Sequence, residues 1–334
     1  MARLGLIVLL LPLLLFSALA QDAPVVAPPT PDMSKVPWSP VRRNPSPGQS
    51  SPSPTISVNV RLVNVFTSVT DDNGAPYAGL EKDDFRISED GVEQKLAIFE
   101  RESGLPLSIV LAIDTSMSTR KDLPLEIVAA HKFVNAILRP VDAISVYQFA
   151  TTVSEALPFN NHQREINTAL DHLRTGAATA LYDAIFLGAQ ALERRQGRKV
   201  LVLITDGGDT ASATDYHEAL RAAQVSEAII YSIITVPIEA DAGRDTGGEH
   251  ALIQLSTDTG GKYFYASSTA QLDEAFRQIS NELRMQYLLA YYPSSRVAGE
   301  FRRISVELTE EARKRAQCEL ILRHRSGYYN SKIQ

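Results

Sequence analysis

Apolar residues change rhythm twice along the ordered part of this chain. Over 56–101 the rhythm is that of strands. Ile56, Val58, Val60 and Leu62 alternate with polar residues, the phase flips to Val63, Val65, Thr67 and Val69, and a "DDNG" turn follows. A flip of phase places a bulge or a second strand there. Phe85 and Ile87 then precede an Asp90-Gly91 turn, with Leu96 and Ile98 after it, which is hairpin spacing. From 107 to 285 short apolar runs alternate with stretches of helical period, the pattern of a largely parallel sheet wrapped by helices. Strands are expected at 108–113, 144–149, 153–159 as an antiparallel edge, 200–204, 229–234 and 262–265. Helices are expected near 123–138, 163–173, 181–195, 215–226, 249–257 and 269–285, the first turning Ile127, Val134, Ile137 and Leu138 inward. After 285, "QYLLAYYP", "FRRISVEL" and "CELILRHRSGYY" return to alternation, with Cys318, Leu320 and Leu322 on one face of the last.

The fold class this implies is α/β, a doubly wound, mostly parallel sheet flanked by β segments. The two ends of an open α/β unit can lie close together. The β segments at 56–103 and 286–334 are therefore expected to fold together as a sandwich, with the α/β unit, 104–285, inserted between them.

The first 55 residues carry neither rhythm. Residues 1–20 hold Arg3, an apolar run over 4–16 broken by Gly5 and Pro12, and Ala18-Leu19-Ala20 as a small-x-small cleavage site, which reads as an export signal. The run is shorter than the roughly 18 apolar residues of a membrane span, so no stable span is expected after cleavage. Residues 24–54 contain ten of the chain's eighteen prolines among Ser, Gln and Asn, too little apolar surface to offset ordering, so 21–55 reads as an extended linker. The expected location is outside the cytoplasm: periplasmic, cell-envelope or secreted.

Composition narrows the partners. The net charge of −6 is mild, becomes −7 once Arg3 leaves with the signal, and forms no basic stripe, so nucleic acid is not an expected partner. The single cysteine, Cys318, excludes an intramolecular disulfide and reads as a small buried hydrophobe.

The candidate chemistry lies at two strand ends. In "LSIVLAIDTSMSTRKD", residues 107–122, a strand apolar enough to be buried on both faces ends in Asp114, followed by Ser116 and Ser118. A buried carboxylate is costly unless it is solvated, hydrogen-bonded or holding a cation. "RKVLVLITDGGDT", residues 198–210, repeats the design and ends in Asp206, and ligands of open α/β sheets collect outside the carboxyl ends of strands. Thr179, in a Gly/Ala loop just before a helix, adds a hydroxyl to the same rim. Two carboxylates and three hydroxyls are all hard oxygen, which suits Mg²⁺, or Mn²⁺ and Ca²⁺, rather than zinc or copper.

Taken in order, Asp114-x-Ser116-x-Ser118, Thr179 and Asp206 in a TDG turn resemble the metal-ion-dependent adhesion site of von Willebrand factor type A domains, over roughly 107–285. The resemblance implies that Ser116, Ser118 and Thr179 offer hydroxyls to the cation. It also implies that Asp114 and Asp206 act largely through water, and that a protein partner's Asp or Glu fills the remaining position. The flanks, "GLEKDDFRISEDGVEQKLAIFE" and "LLAYYPSS" with "RSGYY", are similar to exported bacterial VWFA-related domain proteins of acidobacterial type. Asp209, Glu239 and Asp241, on loops of the same rim, are the candidate partner contacts.

Two other classes compete with this reading. A phosphotransferase with Asp114 as nucleophile would commonly have a second acid where this chain has Ser116, no Gly-rich phosphate loop with lysine follows a strand, the six histidines lack metal-ligand spacing, and no G-x-S-x-G elbow occurs; no enzyme is expected. A structural envelope component, using the domain for assembly without a metal-bridged ligand, stays open. Oligomeric state is not readable from the sequence.

Overall fold

The computed structural model describes residues 62–101, 104–235, 246–293 and 299–329. The export signal, the linker, Ile56, Val58, Val60, Glu239 and Asp241 lie outside the described residues.

Leading into the α/β unit are β1 (Val63–Thr70), β2 (Phe85–Glu89), β3 (Val92–Gln94) and β4 (Leu96–Glu100). Asp90 and Gly91 both take positive φ, 49° and 81°, the conformation a two-residue β2–β3 hairpin turn requires. The "DDNG" turn closes through Asp71, whose Oδ1 accepts from the Asn73 and Ala75 amides.

The α/β unit contributes β5 (Leu107–Asp114), β6 (Ala143–Phe149), β7 (Val153–Asn160), β8 (Arg198–Thr205), β9 (Ile229–Thr235) and β10 (Tyr263–Ala266). Its helices are α1 (Leu123–Ile137), α2 (Gln163–Asp171), α3 (Leu181–Glu193), α4 (Tyr216–Ser226), α5 (Thr246–Thr259) and α6 (Thr269–Arg284). The sheet order is β10-β9-β8-β5-β6-β7, parallel except for β7, which runs antiparallel to β6 at the edge. Every residue of β5 is buried, as expected where helices cover both faces. Alternation divides them: Ile109, Leu111 and Ile113 pack with α1 and α6, while Val110 and Ala112 pack with α3.

Beyond the unit come β11 (Tyr287–Tyr291), β12 (Phe301–Leu308), α7 (Glu310–Ala316), β13 (Ile321–Arg323) and β14 (Gly327–Tyr329). Strands from the two flanks mix in two antiparallel sheets, β13-β1-β11-β4 and β14-β12-β2-β3. They share one core, in which Val65, Phe85, Ile87, Leu289, Tyr291 and Val306 meet. β4 and β11 are neighbours, with Glu100 opposite Leu288, so the chain enters and leaves the α/β unit on adjacent strands.

Three details differ from the sequence expectation. The second arm of the hairpin is split: β3 stays with β2, whereas β4 crosses to the other sheet, which leaves Ile98 exposed. Helix α7 turns only Ala312 and Ala316 to the sandwich core, too small an apolar stripe to announce it. Its signals are Thr309 as N-cap, acids in the first turn and bases in the last. Cys318 precedes β13 rather than lying in a strand, but it packs against the sandwich core with Leu322.

The α/β unit is tied to the sandwich by buried polar contacts. Glu282, near the end of α6, accepts from the Tyr231 hydroxyl of β9 at 2.8 Å and pairs with Arg323 of β13. Ser326 binds the Asp258 carbonyl through its amide, at 2.8 Å, and through its hydroxyl.

Candidate functional site

Parallel pairing places the end of β5 beside the end of β8: Ile113 is in register with Ile204, which brings Asp114 next to Thr205 and one residue from Asp206. Asp114 is wholly buried. Its Oδ1 accepts from the Ser116 amide at 2.8 Å, and its Oδ2 accepts from the Thr205 hydroxyl at 2.7 Å. Burial nevertheless pushes its pKa up to about 6, those two donors pull it down, and the neighbouring Asp206 charge pushes it up again.

Three loops supply the other candidates and are stitched to one another. In the first, the Thr119 hydroxyl bonds the carbonyls of Asp114 and Ser116, curling the chain so that the Ser116 and Ser118 hydroxyls lie 3.0 Å apart. Ser116 is buried and Ser118 exposed, so the pair leads from the interior to the surface. The second loop, 176–180, joins the first through the Gly176 amide on the Thr115 carbonyl, 2.7 Å. A Cβ on Gly176 would sit 2.4 Å from the Ala150 Cβ, so only glycine fits this approach. The third loop, 206–212, joins the second where the Thr179 amide donates to the Thr210 hydroxyl at 2.9 Å and the Thr179 carbonyl accepts from the Thr210 and Ala211 amides. Gly207 makes this turn possible with φ +119°. Asp114, Ser116, Ser118, Thr179 and Asp206 are thereby brought to one rim of the sheet.

Of the candidate partner contacts, only Asp209 lies among the described residues. Its Oδ1 accepts from the Leu181 and Tyr182 amides, 2.8 and 3.3 Å, and from the Ser212 hydroxyl. It therefore caps the start of α3, where a negative charge complements the helix dipole and steadies the adjoining Thr179. Asp183 braces the same loop from inside α3, accepting from the Ala213 and Thr214 amides. Asp215 forms a capping box with Glu218 at the start of α4, as its place before that helix predicts.

Residues 108–278, just over half of the chain, match the family model described as von Willebrand factor type A domain. The chain belongs to the von Willebrand factor type A domain family. Comparison with curated proteins finds no match. Among solved structures, the type A domain is similar to the conserved hypothetical protein BatB from Bacteroides thetaiotaomicron, 18% identical over 53% of this chain and 98% of that one, with a TM-score of 0.41. A von Willebrand factor type A protein from Catenulispora acidiphila is 11% identical over 75% of this chain and 71% of its own, TM-score 0.48. The pilus adhesin SpaC from Lactobacillus rhamnosus GG, in its open conformation, is 12% identical over 64% of this chain and 34% of its own, TM-score 0.45.

Several residues at the rim of the type A domain were not singled out from the sequence. Thr205 and Thr119 hold Asp114 and its loop, and the register that aligns the two strand ends is the signal for Thr205. Glu249 of α5 is buried close to Gly207, with Tyr265 donating to its Oε2 at 3.2 Å. Glu126 of α1 is the fourth: only 1% exposed, with neither carboxylate oxygen hydrogen-bonded among the described residues. No helix among the described residues is long and apolar enough to cross a membrane.

Proposed function

We propose that the protein is an exported, non-enzymatic binding module that captures an Asp or Glu of a protein partner through a divalent cation, Mg²⁺ foremost and Mn²⁺ or Ca²⁺ as substitutes. The observation that carries this reading is Asp114: a wholly buried carboxylate given two hydrogen-bond donors but, among the described residues, no basic side chain, at a rim of oxygen donors. The donor chemistry fits, since hydroxyls and carboxylates are the preferred ligands of hard cations and no thiolate or imidazole competes. Ser116, Ser118 and Thr179 would hold the ion directly, with Asp114 and Asp206 behind coordinated water. A cation bound there supplies positive charge and an open position for a partner's carboxylate. The residues' own work is to curl the loop so that the hydroxyls converge and to keep Asp114 aimed at them. Export rests on residues 1–20 as a cleavable signal.

The test is a calorimetric titration of Mg²⁺ and Mn²⁺ into the full chain and into Asp206→Ala, followed by partner capture with and without EDTA. Saturable binding that is lost in the variant, with its melting temperature retained, supports the cation site. Wild-type affinity in Asp206→Ala sinks it. Partner capture indifferent to EDTA would instead favour an assembly role without a metal bridge.

A further inference from the structure

Glu126 breaks the pattern of its own helix. With Ala129, Ala130, Phe133 and Ile137 it occupies the buried stripe of α1, at spacings of three, four, seven and eleven, where an apolar residue belongs. Neither oxygen finds a hydrogen bond among the described residues; the Thr235 hydroxyl, at the end of β9, is near enough to act on it but not to bond it well. A carboxylate so placed is among the more costly things a fold can bury. Its surroundings add to that cost, because the charged groups that act on it are Asp114, Asp122 and Asp206, all negative, and burial with these neighbours pushes its pKa up to about 8.

The same neighbours say where it lies. Asp114 and Asp206 are two residues of the rim, so Glu126, buried in the first turn of α1, lies close to the oxygen set and to Thr235 at the end of β9. Among the described residues no three carboxylates, imidazoles or thiolates converge closely enough to share a single ion. Glu126 therefore does not share an ion with two other such groups, and it lies buried behind the hydroxyls of the loop. A hard cation that keeps several of its waters leaves room for acceptors behind them, and outer carboxylates of this kind orient ligands and hold the cation's charge.

We propose that Glu126 is an outer-sphere carboxylate of the cation site, accepting hydrogen bonds from cation-held water on the side facing the protein interior. It is a positioning residue, and the assignment rests on the cation reading above. It makes the rim a site of three carboxylates rather than two, explains why an acid occupies an apolar stripe, and favours divalent over monovalent cations.

The experiment compares the full chain with Glu126→Gln in calorimetric titrations with Mn²⁺ and Mg²⁺, and in melts after exhaustive EDTA treatment. The expected result is a tenfold or greater loss of affinity, together with a metal-free melting temperature equal to or above that of the wild type. A merely structural glutamate would move stability down and leave affinity alone. Wild-type affinity in Glu126→Gln, or a clear fall in its metal-free melting temperature, overturns the assignment while leaving the cation reading intact. A folded wild type that binds neither metal overturns both. Glu126→Met, which keeps the volume and removes the oxygens, repeats the comparison if the glutamine variant does not fold.

Discussion

Buried carboxylates are treated in opposite ways at the two ends of the α/β unit. Toward the sandwich, Glu282 is met by Tyr231 and Arg323, and Asp142 takes Arg139 and the Leu107 amide. Within the sandwich, Asp84 is met by Arg315 and the Glu81 amide, and Glu89 accepts from the hydroxyls of Tyr291 and Tyr328. At the rim, Asp114 has only a hydroxyl and an amide, Glu126 has neither, and no ion pair among the described residues reaches Asp114, Glu126 or Asp206. The protein completes its charge balance internally in the first region and leaves it open in the second. An open balance is unfavourable for the fold, and the cation proposed above would close it.

Three measurements would break or sharpen that contrast. The largest effect is expected at the seam: Glu282→Ala leaves the half-buried Arg323 without its acid and should cost about 3 kcal/mol in urea unfolding, with metal affinity unchanged. A loss below about 1 kcal/mol would mean that the seam is no more committed than a surface pair. The next is pH. Asp114 and Glu126 have folded pKa values raised above their ordinary ones, so each favours the fold when protonated and that contribution is lost as pH rises through about 6 and about 8. The metal-free protein should therefore lose on the order of 2 kcal/mol between pH 5 and pH 9, and saturating Mg²⁺ should restore most of it at the upper end. A metal-free stability flat across that range would place the two acids in wetter surroundings than their burial implies. The smallest is Asp215→Ala, which removes a helix cap away from the open charges. It should cost about 1 kcal/mol and leave metal affinity unchanged.

Much of this was legible in the sequence, and the reason is physical. Strands buried on both faces announce themselves as unbroken apolar runs, which is why β5, β8 and β9 were placed within a residue or two. The rule that ligands gather beyond the carboxyl ends of such strands then brought Asp114 and Asp206 together without coordinates. What escaped depended on neighbours distant in sequence. Asp209 caps α3 because the 206–212 loop folds back across the 176–180 loop, and no local pattern states that. β4 leaves its hairpin because β11, nearly two hundred residues later, offers it a partner. Glu126, by contrast, leaves a local mark, since an acid in an apolar helical stripe is visible in "LPLEIVAAHKFV".

The adjacency of β1, β11 and β4 has a mechanical consequence. Suppose tension is applied between a partner held at the rim and the chain at Val63. The α/β unit then draws on β11 from its first residue, Tyr287, which lies across from Thr67, while the opposing pull enters β1 at Val63, across from Tyr291. The two strands are loaded from opposite ends, so their ladder of hydrogen bonds is sheared and every rung resists together, instead of being unzipped one rung at a time. With β4 flanking β11 on its other side, the inserted unit is moored on both edges of β11 against such a pull.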